Sequence, residues 1–265
     1  MAFDPDFHPH RRSTIVMVCV FELDNPLTKE YILVSPHRNK RPWLGQTEPS
    51  QPSILQEYDP KCYLCPGNSR SGGQLNETYV HTSTFENDFP ALLRTPCPET
   101  PKAPHPLLSA TPLNGVCDVI IFHPRHDLTL ARLTVEDIRR VIEEWCSVYL
   151  KRGSQENIKY VQIFENKGAM MGCSNPHPHG QVWSLSQIPE LPRKELHSLL
   201  EYATSPQPPS DAPKDSGGRP NLLLEYAHFE ASVPIEEGDG RTVIKNEHWL
   251  AVVPWWAIWP FEMLR

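Results

Sequence analysis

Positive charge is in short supply. Lysine and arginine number 25 against 32 aspartates and glutamates, which leaves a formal net charge of −7 and an isoelectric point near 5.9. A general nucleic-acid binder needs a basic surface, so that class is set aside. A local basic run, Arg38-Asn39-Lys40-Arg41, suits a phosphate group instead. No apolar run approaches the roughly 20 residues of a membrane-spanning helix. The run Ile15–Phe21 follows Arg11-Arg12 as in a secretory leader, but Glu22 and Asp24 come at once, and no small-residue cleavage pattern appears. Cysteines are odd in number, seven, with two in Cys62-x-x-Cys65, which argues against a secreted disulfide framework. Glycine is scarce, 13 residues against 29 prolines, and many prolines fall in Pro96–Pro112 and Pro206–Pro220, which read as surface loops. No internal repeat or long low-complexity tract is visible. The expectation is a soluble, cytoplasmic protein with neither a nucleic-acid nor a membrane partner.

What is present is enough for a core: 265 residues, 39% hydrophobic, in one large domain or two smaller ones. Glu30–Ser35, Cys117–Phe122, Tyr160–Phe164, Gln181–Leu185 and Trp249–Pro254 read as strands, rich in β-branched and aromatic residues. Thr134 with Asp137 approximates a capping box. Ile138, Val141, Ile142, Trp145, Val148 and Tyr149 then recur at helical spacing and predict a core-facing amphipathic helix. Strands outnumber helices without regular alternation, which predicts an α+β fold with a largely antiparallel sheet.

The chemistry concentrates in Asn166–Gln181. If Pro176–Gln181 is extended, His177, His179 and Gln181 share one face, stiffened by Pro176 and Pro178. A neutral imidazole suits attack on phosphorus without first losing a proton. Gln181 has a donor for a phosphoryl oxygen, Ser174 a hydroxyl, and Gly172 a backbone that allows close approach. An isolated His-x-His is most often an exposed loop; the flanking Gly-Cys-Ser-Asn and Gly-Gln-Val-Trp weigh against that here. Cys62-x-x-Cys65 by itself fits half a zinc site, a redox pair or coincidence, and redox is the weakest because no thioredoxin-like context is evident.

The run from Phe164-Glu165-Asn166-Lys167-Gly168 to Gly180-Gln181-Val182-Trp183 closely resembles the galactose-1-phosphate uridylyltransferase family, a branch of the histidine-triad superfamily. Asn25-Pro26-Leu27-Thr28, Ser35–Trp43, Phe85-Glu86-Asn87-Asp88-Phe89 and Glu247-His248-Trp249 follow the same family in order, so the likeness spans roughly residues 25–265. The resemblance implies a histidine-triad-like α+β fold with flanking helices. It divides the chain into an N-terminal arm with an atypical insertion (1–24), an N-terminal uridylyltransferase domain (25–192) and the start of a C-terminal domain (193–265).

It further implies ping-pong transfer of UMP from UDP-glucose to galactose 1-phosphate through a uridylyl-histidine, in galactose metabolism. In that assignment His179 is the nucleophile and Gln181 holds the transferred phosphoryl group. Asn166, Gly172 and Ser174 contact nucleotide phosphates, Arg38 and Arg41 lie near nucleotide and sugar phosphates, and Asn87 and Asp88 contact uridine. Phe85 and Phe89 stand beside them, with ordinary core packing as the equal alternative. His126 and His177 complete a structural zinc site with Cys62 and Cys65. Glu195 matches one ligand of a second, iron site found in some relatives; its other ligands lie beyond this chain, so that site is not expected to be complete, and Glu195 reads as a solvated helix residue in Pro192–Leu200. The family forms homodimers.

Two departures stand out. Ser13–Asp24 intervenes between Arg12 and Asn25, as an added strand or a poorly packed segment. The chain also stops where the family continues into a second half-repeat, which predicts apolar surface at Trp255–Trp259, reduced stability and weak exchange activity. The alternatives to the transferase are a related histidine-triad nucleotide phosphorylase or hydrolase, and an inactive zinc-stabilised fragment.

Overall fold

The computed structural model describes residues 21–35, 55–95, 105–108, 110–233, 240–259 and 261–265. Arg38, Arg41 and most of the Ser13–Asp24 insertion lie outside them. Contacts divide the chain into two compact units, one within 48–189, the other combining 190–265 with the residues up to 47.

The first unit is built on a four-stranded antiparallel sheet. Its strands are β3 (Ser83–Glu86), β4 (Gly115–Ile121), β5 (Tyr160–Phe164) and β6 (His179–Leu185), ordered β3-β4-β6-β5. Every residue of β4 is buried, which explains its nearly unbroken apolar run. Alternation along β4 sends Ile120, and Phe122 just beyond it, to one face, where they pack with Val141, Val148 and Val182. Val119 and Ile121 go to the other, against Cys62, Leu64, Cys65 and Tyr79.

The helix α1 (Val135–Gly153) covers the first face. Thr134 caps it: its Oγ1 accepts from the Asp137 amide at 3.2 Å and donates to the Asp137 carboxylate at 2.6 Å. Acidic residues fill the first turn and Lys151 and Arg152 the last, as the helix dipole favours. The buried stripe is narrower than the periodicity suggests. Ile138, Val141, Trp145 and Val148 pack on the sheet, whereas Ile142 and Tyr149, flanking that stripe, are 47% and 54% exposed.

Asp118 lies on the same face of β4 as Ile120 and forms a fork-to-fork pair with Arg152 of α1, Nε donating to Oδ2 at 2.8 Å; both residues are buried. Asp118→Ala strands the guanidinium and is expected to cost about 3–5 kcal/mol. The check is the urea midpoint. Asp118→Leu with Arg152→Met, which removes both charges, should recover most of the loss.

In the second unit β1 (Phe21–Asp24) and β2 (Tyr31–Val34) form an antiparallel hairpin whose turn is held by the Asn25 side chain accepting from the Leu27 and Thr28 amides. The last four residues of the insertion are thus strand. Leu23 and Val34 pack with Ile32 and Trp255. Helices α2 (Glu190–Thr204) and α3 (Leu222–Ser232) and the hairpin of β7 (Thr242–Lys245) and β8 (Leu250–Val252) complete it. The buried Glu230 pairs with Arg241 at 2.6 Å, and that guanidinium lies over the Trp255 ring. The expected uncovered apolar run at 255–259 is only partly so. Trp256 and Ala257 are buried, Trp256 against Tyr226; Ile258 and Trp259 are exposed. Glu195 lies on α2, partly exposed.

Candidate metal centre and phosphoryl-transfer site

Cys62, Cys65, His126 and His177 come together: one ligand atom from each lies within 4.8 Å of all the others, and all four residues are buried. Turn geometry brings in the cysteines. The Cys65 amide donates to the Cys62 carbonyl, and the Leu64 amide points at the Cys62 sulfur at 3.3 Å. Two asparagines brace this knuckle from outside. Asn68 Nδ2 donates to the carbonyls of Asp59 and Cys62, and Asn76 Nδ2 to those of Tyr63 and Cys65.

The histidines present Nδ1. His177 Nδ1 is 3.5 Å from the Cys65 sulfur and 3.9 Å from the Cys62 sulfur, and His126 Nδ1 is 3.8 Å from the Cys65 sulfur. A tetrahedral zinc ion with ordinary Zn–S and Zn–N bonds separates sulfur and nitrogen ligands by about 3.5 Å. The donor set therefore fits such an ion in number, type and spacing.

The shell around it is ordered as well. His177 Nε2 lies 2.9 Å from the His123 carbonyl, which only accepts, so Nε2 carries the hydrogen and Nδ1 keeps its lone pair for the sulfur side. Tyr79 places its hydroxyl 3.3 Å from the same nitrogen and donates to the Leu64 carbonyl. Asn175 ties the two ends, its Nδ2 donating to the Cys62 sulfur and its Oδ1 accepting from the His177 amide at 2.9 Å. Burial above all lowers the His177 pKa to about 3, against the opposing pull of the His123 hydrogen bond, so the ring is neutral, the form a metal ion binds. Burial, with Cys62 alongside, pushes the Cys65 thiol up to about 11 without a cation; a bound dication reverses that preference and favours the thiolate.

His179 opens β6 two residues later. Its Nδ1 is 2.7 Å from the His177 carbonyl. A carbonyl offers no hydrogen, so Nδ1–H donates, and the remaining lone pair of the ring is on Nε2. Burial lowers its pKa from the usual histidine value, with the carbonyl hydrogen bond opposing. The ring is partly exposed, not sunk in hydrocarbon, and lines an open cavity of about 320 Å³.

The sheet register builds the floor of that cavity. Phe85 pairs with Val119 and Val119 with Gln181, a cross-strand row on one face; His179 stands opposite Ile121 in the adjacent row. Gly180 faces the other way, where an added Cβ would come within 2.8 Å of the Phe122 ring and 3.0 Å of the Phe164 carbonyl. Only glycine lets the strand lie this close.

Of the residues expected at a site, Asn87, Asp88, Ser174, His179 and Gln181 line this cavity, as do Phe85 and Phe89. Ser174 Oγ is 3.3 Å from the Tyr63 hydroxyl. Asn166 and Gly172 are not among the lining residues. Gly172 has φ +80° and open space around it, so the left-handed turn, not close packing, requires glycine there. Strand β6 begins at His179, and the Asn175 turn before it directs the His177 ring into the cysteine cluster, on the Val119 and Ile121 side of the sheet that also carries His179 and Gln181. Tyr63, Tyr79, Asn68 and Asn76 were missed. Asparagines close behind a Cys-x-x-Cys-Pro-Gly turn are the one signal that could have found the bracing.

The family model described as galactose-1-phosphate uridyl transferase, N-terminal domain, matches residues 22–189. A galactose-1-phosphate uridylyltransferase of Cryptococcus neoformans is 44% identical over 246 residues, covering 91% of this chain and 61% of that protein. That of Rattus norvegicus is 44% identical over 240 residues, covering 91% and 58%. That of Haemophilus influenzae is 42% identical over 263 residues, covering 99% and 66%. The chain thus spans roughly three fifths of the length of such relatives. A solved uridylyltransferase structure aligns with TM-score 0.59 at 24% identity, over 92% of this chain and 64% of that one. An ADP-glucose phosphorylase from Arabidopsis thaliana aligns with TM-score 0.58 at 18% identity, over 90% and 65%. Those two likenesses show the fold, the α+β, histidine-triad-like arrangement expected from the sequence. By its family match over most of its length and the identity of its relatives, the chain belongs to the galactose-1-phosphate uridylyltransferase family.

Proposed function

We propose that this chain carries the catalytic half of a UDP-glucose–hexose-1-phosphate uridylyltransferase acting in galactose metabolism. The observation that carries the reading is the His179 tautomer: Nδ1–H is committed to the His177 carbonyl, which leaves Nε2 as the nucleophile in a ring that lines the cavity. In the first step Nε2 attacks the α-phosphorus of UDP-glucose. An N–P bond forms, the P–O bond to glucose 1-phosphate breaks, and the leaving phosphate takes the electron pair. A phosphate oxygen of galactose 1-phosphate then attacks the same phosphorus, releasing His179 and forming UDP-galactose. That oxygen is already ionised, so no general base is needed.

Gln181, in the cavity with His179, donates to a non-bridging oxygen as charge develops. Ser174, with Asn166 and the backbone at Gly172, receives the phosphates. Arg38 and Arg41 supply positive charge there. Asn87 and Asp88 hold the uridine. A zinc ion on Cys62, Cys65, His126 and His177 holds the segment that leads into His179, and its role is structural, since four protein ligands close the coordination sphere. We place the uridylyltransferase domain at 25–192 and the start of a second domain at 193–265, with the whole enzyme a cytoplasmic homodimer. No described helix is long and apolar enough to cross a membrane.

Labelled glucose 1-phosphate should exchange into UDP-glucose without galactose 1-phosphate, because only a covalent intermediate permits half of the reaction to run alone. Exchange that requires galactose 1-phosphate would overturn the ping-pong order. An amide at position 181 also cannot take a proton from an attacking water, as an imidazole could. Gln181→His is therefore expected to raise UDP-glucose hydrolysis at least about tenfold, within the range of general acid–base effects. An unchanged hydrolysis rate would remove that role for the glutamine.

A further inference from the structure

The hairpin that follows the cysteine knuckle ends against the cavity, and one of its side chains has no part in the proposal above. Asn76 donates through its backbone to the Asn68 carbonyl, Ser69 and Leu75 bridge, and the Arg70 amide donates to the Gln74 carbonyl at 2.7 Å. Gly73 turns the tip with φ +84°. The Arg70 side chain is only 9% exposed. Its guanidinium carbon sits 4.2 Å above the centre of the Phe85 ring, and Nη2 lies 3.7 Å from Asp88 Oδ1. Nη2 also donates to Gln74. The other Asp88 oxygen accepts from the Gly72 amide at 3.2 Å, and a Cβ on Gly72 would press on the Asp88 carboxylate carbon at 3.0 Å. Phe85 and Asp88 both line the cavity; Arg70 does not.

We infer that Arg70 is a positioning residue for nucleoside binding: one planar guanidinium, laid on the Phe85 ring and paired with Asp88, fixes an aromatic face and a carboxylate in the cavity wall before the nucleoside arrives. The inference rests on the uridylyltransferase reading, which assigns this wall to uridine. Its physical content is preorganisation. A carboxylate free to rotate, or a ring free to tilt, must be ordered on binding, and each such side chain weakens affinity by up to about tenfold. Lysine cannot replace the function fully, because an ammonium lacks the flat face that stacks while its edge pairs.

The test uses the purified full chain and measures UDP affinity by calorimetry and uridine affinity by competition. Arg70→Met is expected to weaken both by at least about tenfold, and by the same factor. The rate of His179 uridylylation at saturating UDP-glucose should stay within about threefold, and zinc content should stay unchanged. Arg70→Lys should fall between, and it carries the test if the methionine variant misfolds. Because Arg70 acts through the wall, adding Arg70→Met to Asp88→Asn should weaken binding much less than it does in the wild type. Unchanged affinity in the variants, a loss confined to UDP, or fully additive losses with Asp88→Asn would each overturn the inference while leaving the parent reading intact. A wild-type chain that loads zinc yet binds neither UDP nor uridine overturns the parent reading, and this inference with it.

Discussion

Stripping the metal from Cys62, Cys65, His126 and His177, or replacing Cys65 by serine, is expected to lower the melting temperature by about 10 °C or more. The four ligands belong to three separate stretches of chain: the knuckle at 62–65, the segment after β4 and the segment before β6. Structural zinc binds model peptides with about 10–16 kcal/mol. Even a modest part of that, a few kcal/mol, shifts the melting temperature by that amount, at about 2–4 °C per kcal/mol for a chain of this size. Without the ion the cluster relies on weak S–H contacts and on the asparagine braces. Those preserve the knuckle's shape but do not replace four metal–ligand bonds that join three segments. The measurement is calorimetric melting with zinc stoichiometry determined on the same samples. One zinc per chain and a large loss on chelation is the expected pair of results. A chelated chain with the melting temperature of the untreated protein would show that the cluster holds no structural ion.

The second large effect concerns His179. Its replacement by asparagine is expected to lower uridylyl transfer by at least about 10⁴-fold, as for other enzymes deprived of a covalent nucleophile. Stability should barely change. The ring is partly exposed at the cavity, and its Nδ1 hydrogen bond goes to the backbone carbonyl of His177. Zinc content should be intact, since His177 keeps its own hydrogen bond to His123. That combination separates His179 from His177. Changing the first removes chemistry and leaves the fold, whereas changing the second removes a metal ligand and with it the segment's anchorage.

How far the sequence led is clearest in particular residues. Local signals were reliable. The Thr134–Asp137 cap begins the helix as expected, and Tyr160–Phe164 is a strand with the bounds read from its composition. The residue types of the candidate site were legible too, because a motif states them directly. What depends on long-range register was not. Nothing near Phe85 in the chain reveals that it shares a row with Val119 and Gln181; that row exists only once β3, β4 and β6 pair. The seat of the His177 ring in the cysteine cluster is tertiary in the same way, set by the Asn175 turn and by cysteines distant in the sequence. Arg70 was invisible because an arginine in a turn is ordinarily solvated, and only the tertiary structure lays it on a ring.

The proposed transfer requires the ring of His179 to present a bare Nε2 to phosphorus. Incubating the zinc-loaded chain with UDP-glucose, quenching at high pH and mapping peptides by mass spectrometry tests this most directly. An acid-labile uridylyl adduct on His179, discharged by galactose 1-phosphate and absent from His179→Asn, is the predicted result. A folded, zinc-loaded chain that shows no adduct, or carries one on another residue, would contradict it.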